Sequence, residues 1–293
     1  MDAALTDAFE ANRPRLTRLA YRMLGSVAEA EDAVQDAWLR WTKAGAAVTD
    51  PAAWLVRVTT RLCIDRLRAA KVEREHYRGP WLPEPLIEPL AADPVERAED
   101  VSVAFLLALE RLSPLERAVF LLHDVFDEDY AAVAETLGRS EAAVRQLASR
   151  AREHVREARP RFSVSQEEAL RLATAFMAAA GQGDMAGLSA LLAEDAILVS
   201  DGGGKRKAAL RVLVGPKDIV RLFEGLARRG GGLAQVEDVR AARINGYPGW
   251  VVSFGDGPET IAFQPGEDGL IAAVYMVRNP EKLAHVAGQA APA

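Results

Sequence analysis

A chain of 293 residues has room for two or three small domains, and 49% hydrophobic residues are enough to build real cores. A net charge of −6 argues against a general nucleic-acid coat, and the single cysteine, Cys63, excludes a disulfide framework and a cysteine metal cluster. No apolar run reaches membrane-spanning length and no secretory pattern opens the chain, so a cytoplasmic location without a membrane partner is expected.

Apolar residues Leu5, Phe9, Leu16, Leu19, Ala20, Met23 and Leu24 recur at helical spacing until Gly25 breaks the run. Ser26, with Glu29 three residues on, is a capping-box signature for a second helix. That helix buries Ala30, Ala33, Val34, Ala37, Trp38 and Trp41, and its other face shows Asp32, Gln35, Asp36, Leu39 and Arg40. An acidic face with one exposed leucine suits a basic protein partner better than DNA. Asp50 and Pro51 open a third helix, with Trp54, Leu55, Val58, Leu62 and Leu67 on its apolar side and Arg57, Arg61, Arg68 and Lys71 elsewhere; Arg57, Arg61, Arg66 and Arg68 could line a basic groove for a single strand. Basic residues cluster in two stretches, 57–78 and 139–161, seven against three acids in each.

Pro80, Pro83, Pro85 and Pro89 exclude a regular helix over 79–100, which reads as an extended linker. Trp81 and Leu82 are unexpected there, because a solvated tether needs no tryptophan. Helices resume at Val101, and Ser113-Pro114-Leu115-Glu116 is a second capping box opening a helix over 115–122.

Residues 130–152, YAAVAETLGRSEAAVRQLASRAR, read as a helix-turn-helix. Ala134 is small enough for close helix approach, Gly138 suits the positive φ of the turn, Ser140 caps the second helix and Val144 packs back onto the first. The second helix then exposes Arg145, Gln146, Ser149, Arg150 and Arg152, with Arg139 in the turn, a basic face suited to a phosphate-lined groove.

Beyond Arg161 the pattern is mixed. Helices are expected over 166–180, 185–192 and 217–228, and strands over 196–200, 207–214, 236–244, 250–254, 260–263 and 270–278. This implies an α+β domain with helices on a curved antiparallel sheet. Phe176, Val199, Trp250, Val252, Phe254, Phe263 and Tyr275 are expected inside it, as plain core or as the lining of a small-molecule pocket. Asp195, Asp201, Asp256 and Glu259 are its candidate acids, each at a turn where carboxylates commonly cap, and only His285 of the four histidines lies there.

Several segments carry a family resemblance. AEDAVQDAWLRW (30–41) resembles the polymerase-clamp-binding helix of extracytoplasmic-function sigma factors, and LSPLERAVFLL with the helix-turn-helix resembles sigma region 4. RLCIDRLRA (61–69) is similar to the helix that reads the melted minus-ten element, with Asp65 and Arg68 at the family's acidic and basic places. The last domain resembles the SnoaL-like fold, a cone-shaped α+β barrel shared with nuclear-transport-factor-like proteins. WLPEP (Trp81, Leu82, Pro83, Glu84, Pro85), DGGGK (Asp201, Gly202, Gly203, Gly204, Lys205) and NPEKL (opening at Asn279 and Pro280) together look like the SigJ-like group, which carries such an extension.

The resemblance implies two all-α sigma domains and a SnoaL-like domain: region 2 over 1–78, a linker over 79–100, region 4 over 101–161, the extension over 162–283 and a flexible tail over 284–293. It implies core RNA polymerase as a partner through Asp32, Gln35, Asp36 and Leu39, and promoter DNA as the other. Arg57, Arg61, Asp65 and Arg68 would face the melted minus-ten element, and Arg139, Arg145, Gln146, Ser149 and Arg150 the minus-thirty-five duplex. It implies regulation in cis by the extension, no separate anti-sigma factor, and no catalytic residue, cofactor or metal. WLPEP is expected to pack near DGGGK, with NPEKL closing the contact and Glu84 paired to Lys205. The rival readings are a ligand-sensing helix-turn-helix regulator and a SnoaL-type cyclase or isomerase fused to a DNA-binding module.

Overall fold

The computed structural model describes residues 3–90, 101–158, 165–228 and 236–287, and the chain divides into two compact units. One unit combines residues 1–76 with 104–159, and the other residues 77–103 with 160–293.

The first unit is helical. Helices α1 (Ala3–Leu24), α2 (Val27–Ala44) and α3 (Pro51–Glu75) start where the sequence places caps. Ser26 accepts from the Glu29 N–H at 3.2 Å, and Asp50 from the Ala53 N–H at 3.0 Å. Alanines 30, 33 and 37 are fully buried in α2, which lets the three helices approach closely around Phe9, Leu16, Met23, Trp41 and Leu55. The Trp41 indole N–H is not orphaned by its burial, because it donates to Leu5 O at 2.8 Å.

Helices α4 (Val103–Glu110), α5 (Pro114–Phe120), α6 (Tyr130–Leu137) and α7 (Glu141–Ala158) complete the unit. Ser113 and Glu116 form the full reciprocal capping box at the start of α5. The helix expected to run to residue 122 instead changes pitch, and Leu121–Val125 form a π-helical turn. Earlier and later helices are fastened by a buried ionic network. Arg117 donates to Met23 O at 2.6 Å and to Glu110 at 2.7 Å, while Glu110 also pairs with Arg74, which reaches Leu24 O. Burial lowers the Arg117 pKa, and Glu110 offsets this only in part.

The second unit is a seven-stranded sheet with helices on one face. Its elements are β1 (Ile87–Glu88), α8 (Gln166–Gln182), α9 (Met185–Ala190), β2 (Leu192–Asp201), β3 (Leu213–Val214), α10 (Gly215–Arg228), β4 (Val236–Ile244), β5 (Tyr247–Phe254), β6 (Gly257–Pro265), β7 (Ile271–Val277) and α11 (Ala284–Ala287). The order is β1-β4-β5-β6-β7-β2-β3, antiparallel throughout except for β2 beside β7. The sheet is open, as a cone-like α+β fold requires.

Phe176 fills the space between sheet and helices, with ring centroids 5.2 Å from Phe223 and 5.0 Å from Phe263, and Trp250, Val252 and Phe254 line the same core. Val199 and Tyr275 do not join them. They pair with each other on adjacent strands and are buried outside that cluster. Three other expectations change. The strand expected over 207–214 is only Leu213–Val214, with turns and bends before it. The expected linker is extended but not a free spacer, because Ile87 and Glu88 pair with Ile244 and Arg243 as an edge strand. The expected tail begins as α11, with Val286 buried; residues 91–100 and 288–293 lie outside the described residues.

Candidate nucleic-acid interface

Local chemistry builds the helix-turn-helix. Asp129 caps α6 by accepting from the Ala132 N–H at 2.7 Å. Gly138 closes the helix at φ 62°, and the Arg139 N–H returns to Ala134 O at 3.0 Å. Ser140 accepts from the Ala143 N–H at 3.3 Å and starts α7. A Cβ at Gly138 would meet nothing within 4 Å, so only backbone conformation resists substitution there. Gly138→Ala should therefore destabilise the helical unit by about 1–2 kcal/mol, and Gly138→Asn by less, in denaturant unfolding.

Helix α7 buries Val144, Ala148, Ala151 and Val155 as one stripe and leaves Arg145, Gln146, Ser149 and Arg150 exposed, with Arg139 exposed before it. Arg145 pairs with Glu141 at 3.2 Å, and Arg150 lies 3.7 Å from Glu116. Burial alone would raise the Glu116 pKa, but two hydrogen bonds from Ser113 and the charge of Arg150 hold it below the ordinary carboxylate value.

On α3, Arg57, Arg61, Asp65 and Arg68 follow at intervals of four, four and three and share a face. Two of the three arginines are already engaged by α6. Arg57 pairs with Glu135, and Arg61 Nε donates to Thr136 O at 3.1 Å. Arg68 and Asp65 pair with each other at 3.3 Å, largely in water. Arg66 does not join that face. It turns to α2, donating to Glu29 O at 2.9 Å and to Asp36 at 2.7 Å. Asp36 thus also ties α2 to α3, while Asp32, Gln35 and Leu39, the last 51% exposed, stay on the outer face.

In the second unit, the three sequence motifs converge because β2 and β7 are parallel neighbours. Asp201 ends β2 opposite Val277 of β7, so DGGGK and NPEKL leave the sheet at one place. The Asp201 carboxylate is wholly buried. It accepts from Tyr77 Oη at 2.5 Å, the Leu82 N–H at 2.9 Å, the Gly203 N–H at 2.9 Å and Lys282 Nζ at 2.7 Å. Its carbonyl accepts from the Arg278 and Asn279 N–H groups. Lys282 also donates to Leu82 O and lies 4.1 Å from the centre of the Trp81 ring. Burial, then Asp201 itself, raises the Tyr77 pKa. Gly203 has φ 60°, and a Cβ there would collide with the Asn279 amide, so the motif's middle glycine has two reasons to be glycine.

The expected Glu84–Lys205 pair is not formed. Lys205 pairs with Glu281, and Glu84 lies 3.1 Å from His285, whose other ring nitrogen faces Pro85 O at 3.0 Å. Sequence reasoning also missed Asn245. With Gly246 it makes a two-residue hairpin turn at positive φ, and its side chain and N–H bond Leu86. The Asn-Gly pair between two apolar runs was the available signal.

The four candidate acids are placed as follows. Asp201 is the hub just described, Asp256 pairs with Arg206, buried Glu259 pairs with Arg278 at 2.6 Å, and Asp195 is exposed. Among the described residues, no group of metal-ligating side chains occurs, and no helix is long and apolar enough to cross a membrane.

Comparison with known proteins agrees with this geometry. A model of Sigma-70 region 2 matches residues 8–72, and one of Sigma-70 region 4 matches residues 102–155. The ECF RNA polymerase sigma factor SigJ of Mycobacterium tuberculosis is 41% identical over 94% of this chain and 91% of its own. The probable ECF sigma factor SigI of the same organism is 37% identical over 61% of this chain and 63% of its own. The crystal structure of Mycobacterium tuberculosis SigJ superposes with a TM-score of 0.76 at 38% identity, covering 95% of this chain and 98% of that one. With near-complete coverage in both sequence and structure, the chain belongs to the extracytoplasmic-function RNA polymerase sigma factors, in the SigJ-like group that carries a fused C-terminal α+β domain.

Proposed function

We propose that this sigma factor works in the cytoplasm, binding core RNA polymerase through the outer face of α2 and promoter DNA through α3 and α7. Arg57, Arg61, Asp65 and Arg68 read the melted minus-ten strand. Arg139, Arg145, Gln146, Ser149 and Arg150 meet the minus-thirty-five duplex, mainly with arginines on phosphate. The observation that carries this reading is the coexistence, in one helical unit, of an exposed acidic-plus-leucine helix face, an arginine face and an exposed basic recognition helix.

The extension regulates in cis, without a separate anti-sigma factor. Support comes from the buried Asp201 hub, which joins residues 77–82, directly after α3, to the extension. It is not a catalyst: Asp201, Asp256 and Glu259 are committed to ion pairs, and Phe176, Trp250 and Phe263 pack ring against ring where a pocket would lie. In this reading region 2 spans 1–78, region 4 spans 101–161 and the regulatory extension spans 162–283.

Leu39→Asp tests the polymerase face. A half-exposed leucine contributes nothing to the free fold that aspartate would remove, so thermal unfolding should be unchanged. Affinity for purified core polymerase should fall about tenfold, the scale of one interface hot spot. Unchanged affinity would remove α2 as the docking helix.

A further inference from the structure

Tyr130 opens α6 and is half-buried, and none of the roles above uses it. The Arg145 guanidinium lies 4.2 Å from the centre of its ring, and the His123 ring lies 3.9 Å from it. Its hydroxyl accepts from Arg152 Nη2 at 3.0 Å. Arg145 and Arg152 are seven residues apart, so two turns of α7 bring them to one side, and a single tyrosine touches both. The π-helical turn supplies the rest of the frame. Its Asp124 accepts from Arg152 Nε at 2.6 Å, and its His123 Nδ1 lies 2.7 Å from Glu128 O.

We propose that Tyr130 is a positioning residue for sequence readout, holding the Arg145 guanidinium plane in place before DNA arrives. The proposal rests on the reading of α7 as the duplex-reading helix. Arg145 is 57% exposed and would otherwise sample many rotamers, whereas a bidentate contact to guanine needs one defined plane. The ring face beneath and Glu141 beside it supply that plane in the free chain, so less rotamer freedom is lost on binding. Arg152, held at both Nε and Nη2, is left to meet phosphate.

The test uses holoenzyme made from the full chain and core polymerase, and duplex DNA randomised across the upstream promoter element. Tyr130→Phe keeps the ring and loses the hydroxyl; Tyr130→Leu keeps bulk and loses the ring. Wild type and Tyr130→Phe should enrich the same motif with the same preference at every position. Tyr130→Leu should flatten the preference at one base position by about two- to fivefold, the scale of an exposed cation–π contact. Arg145→Ala should flatten that same position, and adding Tyr130→Leu to it should change nothing more. An unchanged preference in Tyr130→Leu, equal weakening at all positions, or additive losses in the double variant would each overturn the proposal. If wild-type holoenzyme enriches no motif, the duplex-reading role of α7 fails, and the positioning role fails with it.

Discussion

Asp201→Ala should lower the thermal midpoint of the C-terminal unit by roughly 6–20 °C and open residues 77–88 to protease. The carboxylate is wholly buried and takes four hydrogen bonds, one of them from Lys282, whose side chain is only 13% exposed. Removing it leaves the Lys282 ammonium without its carboxylate and the Leu82 N–H without its acceptor, a loss of about 3–5 kcal/mol. For a unit of this size each kcal/mol is worth about 2–4 °C. Asp201→Asn should recover only part of the loss, because the amide oxygen can still accept but the charge opposite Lys282 is gone. The double variant Asp201→Ala/Lys282→Ala should lose less than the sum of the single changes, since it leaves no orphan charge. A wild-type midpoint and cleavage pattern in Asp201→Ala would show that WLPEP is held by something else.

The second large effect is expected at Glu110. Arg117 is 2% exposed, and Glu110 is its only carboxylate among the described residues. Glu110→Ala should cost about 3–5 kcal/mol in denaturant unfolding of the helical unit, because a buried guanidinium is left uncompensated. Replacing Glu110 and Arg117 together by leucine should recover part of this, since the most buried guanidinium goes with its partner, while the less buried Arg74 still loses Glu110. The contrast with Arg57–Glu135 is instructive. Glu135 is 69% exposed, so that pair is worth about 0–1 kcal/mol and can open readily. The Glu110 network therefore contributes more to joining the earlier helices to the later ones than the α3–α6 ion pair does.

Much of this was legible in the sequence because it is local. Ser26, Asp50, Ser113 and Ser140 act within three residues of themselves, and Gly138 acts on its own backbone, so these caps and this turn announce themselves. What stayed hidden depends on distant partners. β1 is two residues long and exists only because Ile244 and Arg243, more than 150 positions away, offer an edge. Asp201 reads both as one turn carboxylate among four and as part of the DGGGK contact with WLPEP, but not as the group that holds that contact together. Its role as a hub follows from the parallel pairing of β2 with β7, which brings Lys282 of NPEKL to it.

In the free chain α6 engages Arg57 and Arg61 of α3, so if these arginines meet promoter DNA as proposed, α3 and α6 must part in the holoenzyme. The most direct measurement is the distance between α3 and α6, with and without core polymerase. Ala69 and Ala131 are exposed on those helices and accept introduced cysteines for paired labels. Cys63 does not compete, because it is buried and burial has pushed its thiol up to about 12. The account predicts one short distance in the free chain and a clearly longer one in a holoenzyme that initiates transcription. An active holoenzyme with the short distance unchanged would contradict it.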